Sequence, residues 1–240
     1  MSELMKFKDV SKTFEQKKIL KNVSFEIPRG KIIAFLGQNG AGKTTTLKIA
    51  SGLLSFDHGE VLIENHPIED SKKEVMFIPD YPFLYEELTG VEYIQFILDL
   101  FDLKTSKEEI NHLIEKYDLQ KEIEKKISNL SLGNKKKVTL LTSLLNQPKL
   151  LLLDEFVSGI DPINMKKIKS ILLEYVQQGN SILMSTHQLE VAQSFCDSII
   201  LINDGEIIEK DIDVSSILKN GNNLEDYFMM TLALGNNNNE

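Results

Sequence analysis

An apolar run, Lys31–Leu36, passes straight into Gly37-Gln38-Asn39-Gly40-Ala41-Gly42-Lys43-Thr44, and a helical pattern through Leu47, Ala50, Ser51 and Leu54 follows. A G-x-x-x-x-G-K-[ST] loop between a buried strand and a helix restricts the fold of a chain more than any other short feature. Its glycines let the backbone wrap an anion with no Cβ in the way. The loop amides and the helix N-terminus then present partial positive charge to that anion. The lysine reaches the β- and γ-phosphates of a nucleotide, and the following hydroxyl is a ligand for Mg²⁺. Gly37, Gln38, Asn39, Gly40, Ala41, Gly42, Lys43, Thr44 and Thr45 are therefore the candidate phosphate-binding residues.

A second apolar run, Leu150–Leu153, ends in Asp154 and Glu155. A buried strand finishing in two carboxylates places them at the carboxyl edge of a sheet, where open α/β sheets bind their ligands. Asp154 is assigned to the Mg²⁺ shell and Glu155 to polarising an attacking water.

Short apolar runs at Val75–Ile78, Lys149–Leu153, Ser181–Ser185 and Ser198–Asn203 read as strands, with a helix between Asn164 and Gln178. Strands alternating with helices predict an α/β fold with a mostly parallel sheet covered on both faces. Ahead of it, Leu4–Phe14 and Ile19–Ile27 read as two strands joined by a turn at Glu15–Lys18, and Glu60–Glu64 as a further strand. From Thr89 the spacing is helical: Thr89-Gly90-Val91-Glu92 reads as a capping box, and Ile94, Ile97, Leu98 and Phe101 form one stripe. Glu108–Asp118 and Gln120–Ile127 also read as helical. The expected organisation is a single domain with residues 1–80 and 148–219 as catalytic core, 81–147 as an inserted helical subdomain and 220–240 as a C-terminal tail whose last residues are disordered.

The 240 residues are 42% hydrophobic and 26% charged, enough for one large core. A net charge of −9 argues against a nucleic-acid partner. Cys196 is the sole cysteine, which excludes an intramolecular disulfide and fits a buried thiol in a reducing cytosol. Met1–Lys8 lacks an apolar core, so no signal peptide is expected. No apolar run approaches the roughly 20 residues of a membrane span, so any membrane role is borrowed from another chain.

The ordered motifs together resemble the nucleotide-binding subunit of ABC transporters, over about Met5 to Lys210. Leu130-Ser131-Leu132-Gly133-Asn134 is similar to that family's LSGGQ signature, Ser158-Gly159-Ile160-Asp161 to its D-loop, and His187 in Ser185-Thr186-His187 to its switch histidine. The resemblance implies a P-loop NTPase core, ATP and Mg²⁺ as cofactors, and hydrolysis to ADP and phosphate. It implies that Ser131, Gly133 and Asn134 meet the γ-phosphate held by an opposite subunit, so that two copies, identical or related, sandwich two ATP molecules. It implies that Lys43, Glu155 and His187 carry the reaction. Phe14 falls where the family stacks an aromatic on adenine; a core aromatic ending a strand is the other reading. The segment Leu84–Gly90, with Tyr81, Phe83 and Tyr85, looks most like the exporter branch linked to drugs, antibiotic peptides and lipids, where this region meets an integral membrane permease. The implied place is the inner face of the cell membrane, peripheral and cytoplasmic. A soluble ABC ATPase of an assembly complex, or a nucleotide-binding regulator without turnover, stand as alternatives.

The sequence departs from the family at three positions. Asp80 stands where glutamine is usual; it cannot donate as an amide, and its reach is shorter by about 1.5 Å. A water-mediated Mg²⁺ contact and no site role are equal readings for it. Leu132 replaces a signature glycine and narrows the dihedral choices there. Phe156 replaces a proline. Lys135–Lys137 either reinforces the positive field of the signature or is simply solvated.

Overall fold

The computed structural model describes residues 3–219 and 223–237. In chain order its elements are β1 (Glu3–Phe14), β2 (Lys17–Pro28), β3 (Ile32–Leu36), α1 (Lys43–Ala50), β4 (His58–Ile63), β5 (His66–Pro67), β6 (Val75–Ile78), α2 (Gly90–Leu100), α3 (Lys107–Lys116), α4 (Leu132–Leu144), β7 (Leu150–Asp154), α5 (Pro162–Gln177), β8 (Ser181–Thr186), α6 (Leu189–Phe195), β9 (Ser198–Asn203), β10 (Glu206–Asp213), α7 (Val214–Lys219) and α8 (Leu224–Asn237). One sheet is antiparallel, in the order β2-β1-β4-β5; the other runs β10-β9-β3-β8-β7-β6 and is parallel throughout except for its edge strand β10. This is the α/β architecture with an antiparallel β part that the sequence pattern leads one to expect.

The uninterrupted apolar runs are the central strands. Every residue of β3, β7 and β8 is buried, as a sheet covered on both faces requires. The period of two along β3 sorts its side chains into two cores. Ile33 and Phe35 join the antiparallel sheet and α1, with Phe25 stacked on Phe7 at 4.5 Å and tilted on Phe35 at 5.6 Å. Ile32, Ala34 and Leu36 face Val138, Phe156 and Ile168 on the other side. Because β8 lies between β3 and β7, the carboxyl ends of these three strands sit side by side, and each delivers one motif there.

Helix starts follow local chemistry. Thr89 and Glu92 form the expected capping box at α2, and Ser106 and Glu109 form a second one at α3. The stripe on α2 buries Ile94 and Leu98, whereas Phe101 is 46% exposed.

Three readings need correction. Gln120–Ile127 is not a helix but a series of turns. Its backbone groups are engaged by the start of α2: Ile123 O accepts from Val91 N at 3.1 Å, Ile127 N donates to Leu88 O at 2.8 Å, and Lys126 bridges Thr89. Gly90 permits that approach, since a Cβ there would stand 2.6 Å from Ile123 Cδ1. Lys135–Lys137 is not a solvated run, because Lys136 and Lys137 are buried to 1% and 2% exposure. Within the segment taken as a tail, α8 forms, with Asn223 Oδ1 accepting from Asp226 N at its start and Leu224 buried. The asparagine-rich end expected to be disordered, residues 238–240, lies outside the described residues.

Candidate nucleotide site

Lys43 opens α1 and is buried, with Nζ donating to Gly37 O at 2.8 Å and Gln38 O at 3.1 Å. An ammonium has three N–H donors, so one is left for a phosphate oxygen. Burial pushes its pKa down, and the nearby carboxylates of Glu155 and Asp154 oppose that shift. Gly42 has φ +107°, and a Cβ there would stand 2.7 Å from Leu20 Cδ2; only glycine satisfies both constraints.

Asp154 is the hub of the acidic end. Its Oδ2 accepts from Thr44 Oγ1 at 2.8 Å and its Oδ1 from Ser185 Oγ at 2.5 Å. Ser185 also receives the Glu155 amide, at 3.1 Å through Oγ and 3.2 Å through its carbonyl. Sequence reasoning missed Ser185 as a site residue. It was visible as the first residue of the Ser-Thr-His motif, but its role depends on β8 lying beside β7.

Glu155 takes φ +47°, a left-handed conformation that costs a non-glycine residue on the order of 1 kcal/mol and turns its side chain off the strand end. Its Oε1 is 2.9 Å from His187 Nδ1, while its Oε2 is buried with no hydrogen-bond partner. A buried carboxylate oxygen without a donor is costly to keep. Placed beside Lys43 and Asp154, it is suited to a water or a metal-bound ligand.

Lys43, Asp154 and Glu155 line one cleft of 370 Å³ with Phe14, Lys17, Ile19, Asn39, Gly40, Gly42, Thr44 and Thr45, whereas His187 lies outside its lining and reaches it through Glu155. Phe14 ends β1 as a 43% exposed residue, with the Lys12 ammonium 5.4 Å from its ring centroid. It is not a core aromatic. The oxygen donors fit Mg²⁺. A hydroxyl and a carboxylate converge beside an unpartnered carboxylate oxygen. Mg²⁺ is held in this way, by one or two carboxylates plus phosphate.

The signature residues stand apart from this cleft. Ser131 caps α4, its Oγ accepting from Asn134 N at 3.3 Å, and Gly133 packs under Asn164, whose Nδ2 would be 2.5 Å from a Cβ. Leu132 is accommodated because Gly159, at φ +71°, presents no side chain to it. Asp161 caps α5, accepting from Ile163 N and Asn164 N at 3.1 Å; the Asn164 side chain and amide hold its pKa below the usual carboxylate range. Ser158 N donates to Glu155 O at 3.1 Å, closing the turn after the acidic pair. Asp80 is absent from the residues lining the cleft and lies instead 3.9 Å from Lys136 Nζ.

A phosphate loop, an acidic strand end and a carboxylate with one buried, unpartnered oxygen at the carboxyl edge of a parallel sheet define a P-loop ATPase. The family described as "ABC transporter" matches residues 20–158. The chain is 36% identical over 211 residues to the SkfA peptide export ATP-binding protein SkfE of Bacillus subtilis, covering 86% of this chain and 88% of the relative. It is 33% identical over 229 residues to the lantibiotic transport ATP-binding protein SrtF of Streptococcus pyogenes, covering 94% and 96%. Among solved structures, an ATP-binding subunit of an ABC transporter superposes with a TM-score of 0.83 at 28% identity, covering 95% of this chain and 99% of that one. An ATP-binding cassette solved as a dimer in a post-hydrolysis state with ADP and phosphate superposes at 0.76 and 26% identity, covering 88% and 99%. The chain belongs to the ABC transporter family as an ATP-binding subunit, and it is an ATPase.

Proposed function

We propose that this subunit powers peptide export through a separate membrane permease, as one half of a pair that closes over ATP. The observation that carries the reading is the division of the site. The cleft gathers Lys43, Thr44, Asp154 and Glu155, while Ser131, Gly133 and Asn134 sit at the N-terminus of α4 outside it. A helix N-terminus attracts anions, so the signature is suited to the γ-phosphate held by a second subunit. The relatives named for peptide and lantibiotic transport supply the substrate class.

In this reading Phe14 stacks on adenine, and Gly37–Thr45 cradle the phosphates. Thr44 and Asp154 would hold Mg²⁺, which would supply positive charge against the phosphates. Lys43 and the loop amides stabilise the charge of the transferred phosphoryl group, as positioning and electrostatics do in other phosphoryl transfers. Glu155 orients the attacking water through Oε2, and His187 fixes the carboxylate through Oε1. Ser158 and Asp161 link the two halves.

Among the described residues no helix is long and apolar enough to cross a membrane. An apolar groove of 490 Å³, lined by Leu53, Phe77, Phe83, Ile97 and Phe101 among others, lies between β6 and the helical segment 81–147. It fits a docked helix of that permease at the cytoplasmic face of the membrane. Hydrolysis of Mg-ATP by the purified chain across protein concentrations tests the paired site. Turnover that rises faster than linearly and vanishes in Glu155→Gln is expected. Turnover strictly proportional to concentration overturns the composite site.

A further inference from the structure

The chain buries a cation that the reaction scheme leaves unused. Lys136, on the first turns of α4, is 1% exposed, among the most enclosed side chains in the protein. Its Nζ donates to Ser158 O at 2.9 Å, lies 5.5 Å from the centroid of the fully buried Phe156 ring, and stands 3.9 Å from Asp80 Oδ1. These partners belong to two parts of the machinery, and Lys136 itself to a third. Ser158 and Phe156 form the turn that follows Glu155. Asp80 lies just past the end of β6, next to Pro79, which lines the apolar groove. Lys136 itself sits on the helix whose start carries Ser131 and Gly133.

We propose that Lys136 is a positioning residue for hydrolysis, which locks the turn carrying Glu155 to the β6 exit at Asp80 and to the signature helix. A desolvated ammonium is held only where several acceptors converge. Moving any one of the three segments changes the field felt by the others. Burial depresses the pKa of Lys136, and the charges of Asp80 and Glu155 both act to hold its proton. Asp80 thereby gains a role that requires no metal: it is the exposed end of a charge link leading inward to the Glu155 turn. Its side chain is 63% exposed, so a partner settling in the adjacent groove has access to it. The inference rests on Glu155 being the catalytic carboxylate.

The test is steady-state Mg-ATP hydrolysis by the full chain. Lys136→Met keeps the length and the contact with Phe156 and removes the charge. We expect kcat to fall about 10-fold with KM for ATP changed less than about twofold, as for a group that acts on transition-state geometry and not on ground-state binding. Asp80→Asn is expected to lower kcat in the parent and to have no further effect in Lys136→Met, the signature of a coupled pair. Asp80→Lys, which sets a like charge beside the ammonium at an exposed position, is expected to lower kcat further than Asp80→Asn. This comparison holds even if Lys136→Met does not fold. Equal kcat in parent, Asp80→Asn and Asp80→Lys overturns the proposal, as does an Asp80→Asn effect of the same factor with and without Lys136. If Glu155→Gln retains turnover, the assignment of Glu155 fails instead. If that variant is inactive while Lys136→Met matches the parent, only the present inference fails.

Discussion

Ser185 holds both members of the acidic pair, donating to Asp154 Oδ1 and accepting the Glu155 amide. Hydrogen bonds to a charged group contribute about 1.5–3 kcal/mol, so Ser185→Ala is expected to lower kcat about 10- to 100-fold, measured as phosphate release at saturating Mg-ATP. Its fold, read by circular dichroism, should be unchanged. Lys43→Met is expected to weaken nucleotide binding, because it removes the one ammonium enclosed by the phosphate loop; titration with a fluorescent ATP analogue reads this directly. Glu155→Gln should bind ATP and fail to turn it over, since the amide keeps the shape and loses the charge that polarises water. Lys43, Asp154 and Glu155 were legible from spacing, because their chemistry is local to one loop or one strand end. Ser185 and Lys136 were not. Each acts on a residue roughly 20 to 30 positions away, and only the sheet order or the packing of α4 brings the pair together.

Elements differed in how much of themselves they declared. The capping box at Thr89 is a four-residue pattern with a local cause, and it forms as read. Thr89→Ala is expected to destabilise the protein by about 1 kcal/mol, seen as a lower urea midpoint with little change in catalysis. Gln120–Ile127 has helical spacing, yet Ile123 O and Ile127 N pair with Val91 N and Leu88 O around the start of α2. Local propensity is a weak prior, and a nearby unpaired backbone outcompetes it. The basic run on α4 misled for a related reason: a lysine is solvated by default, and only packing shows Lys137 Nζ donating to Asp118 O at 2.9 Å from inside. Burial lowers the pKa of Lys137, so its charge penalises the folded state at neutral pH and the penalty fades as pH rises toward 10.5. Lys137→Met is therefore expected to be neutral or stabilising near pH 7, with its advantage over the parent shrinking at higher pH in paired urea titrations.

At the scale of the whole molecule the incomplete site matters most. The cleft lacks the signature of its own chain, so ATP is expected to favour association, and Glu155→Gln to accumulate as a closed dimer at saturating Mg-ATP by size-exclusion chromatography with light scattering. A variant that stays monomeric there speaks against the sandwich. The identity of the reaction was determined by sequence alone, because a phosphate loop, an acidic strand end and their order along the chain are short-range patterns with few alternative uses. The parallel sheet was determined with them, through apolar runs such as Leu150–Leu153 that only a doubly covered strand can bury. Tertiary structure decided which groups touch. It set Ser185 beneath Asp154, brought Lys136 between Asp80 and the Glu155 turn, and left Glu155 Oε2 buried without a partner. Such contacts join strands and helices that are distant in the chain, and they arise from register and packing, which no local pattern encodes.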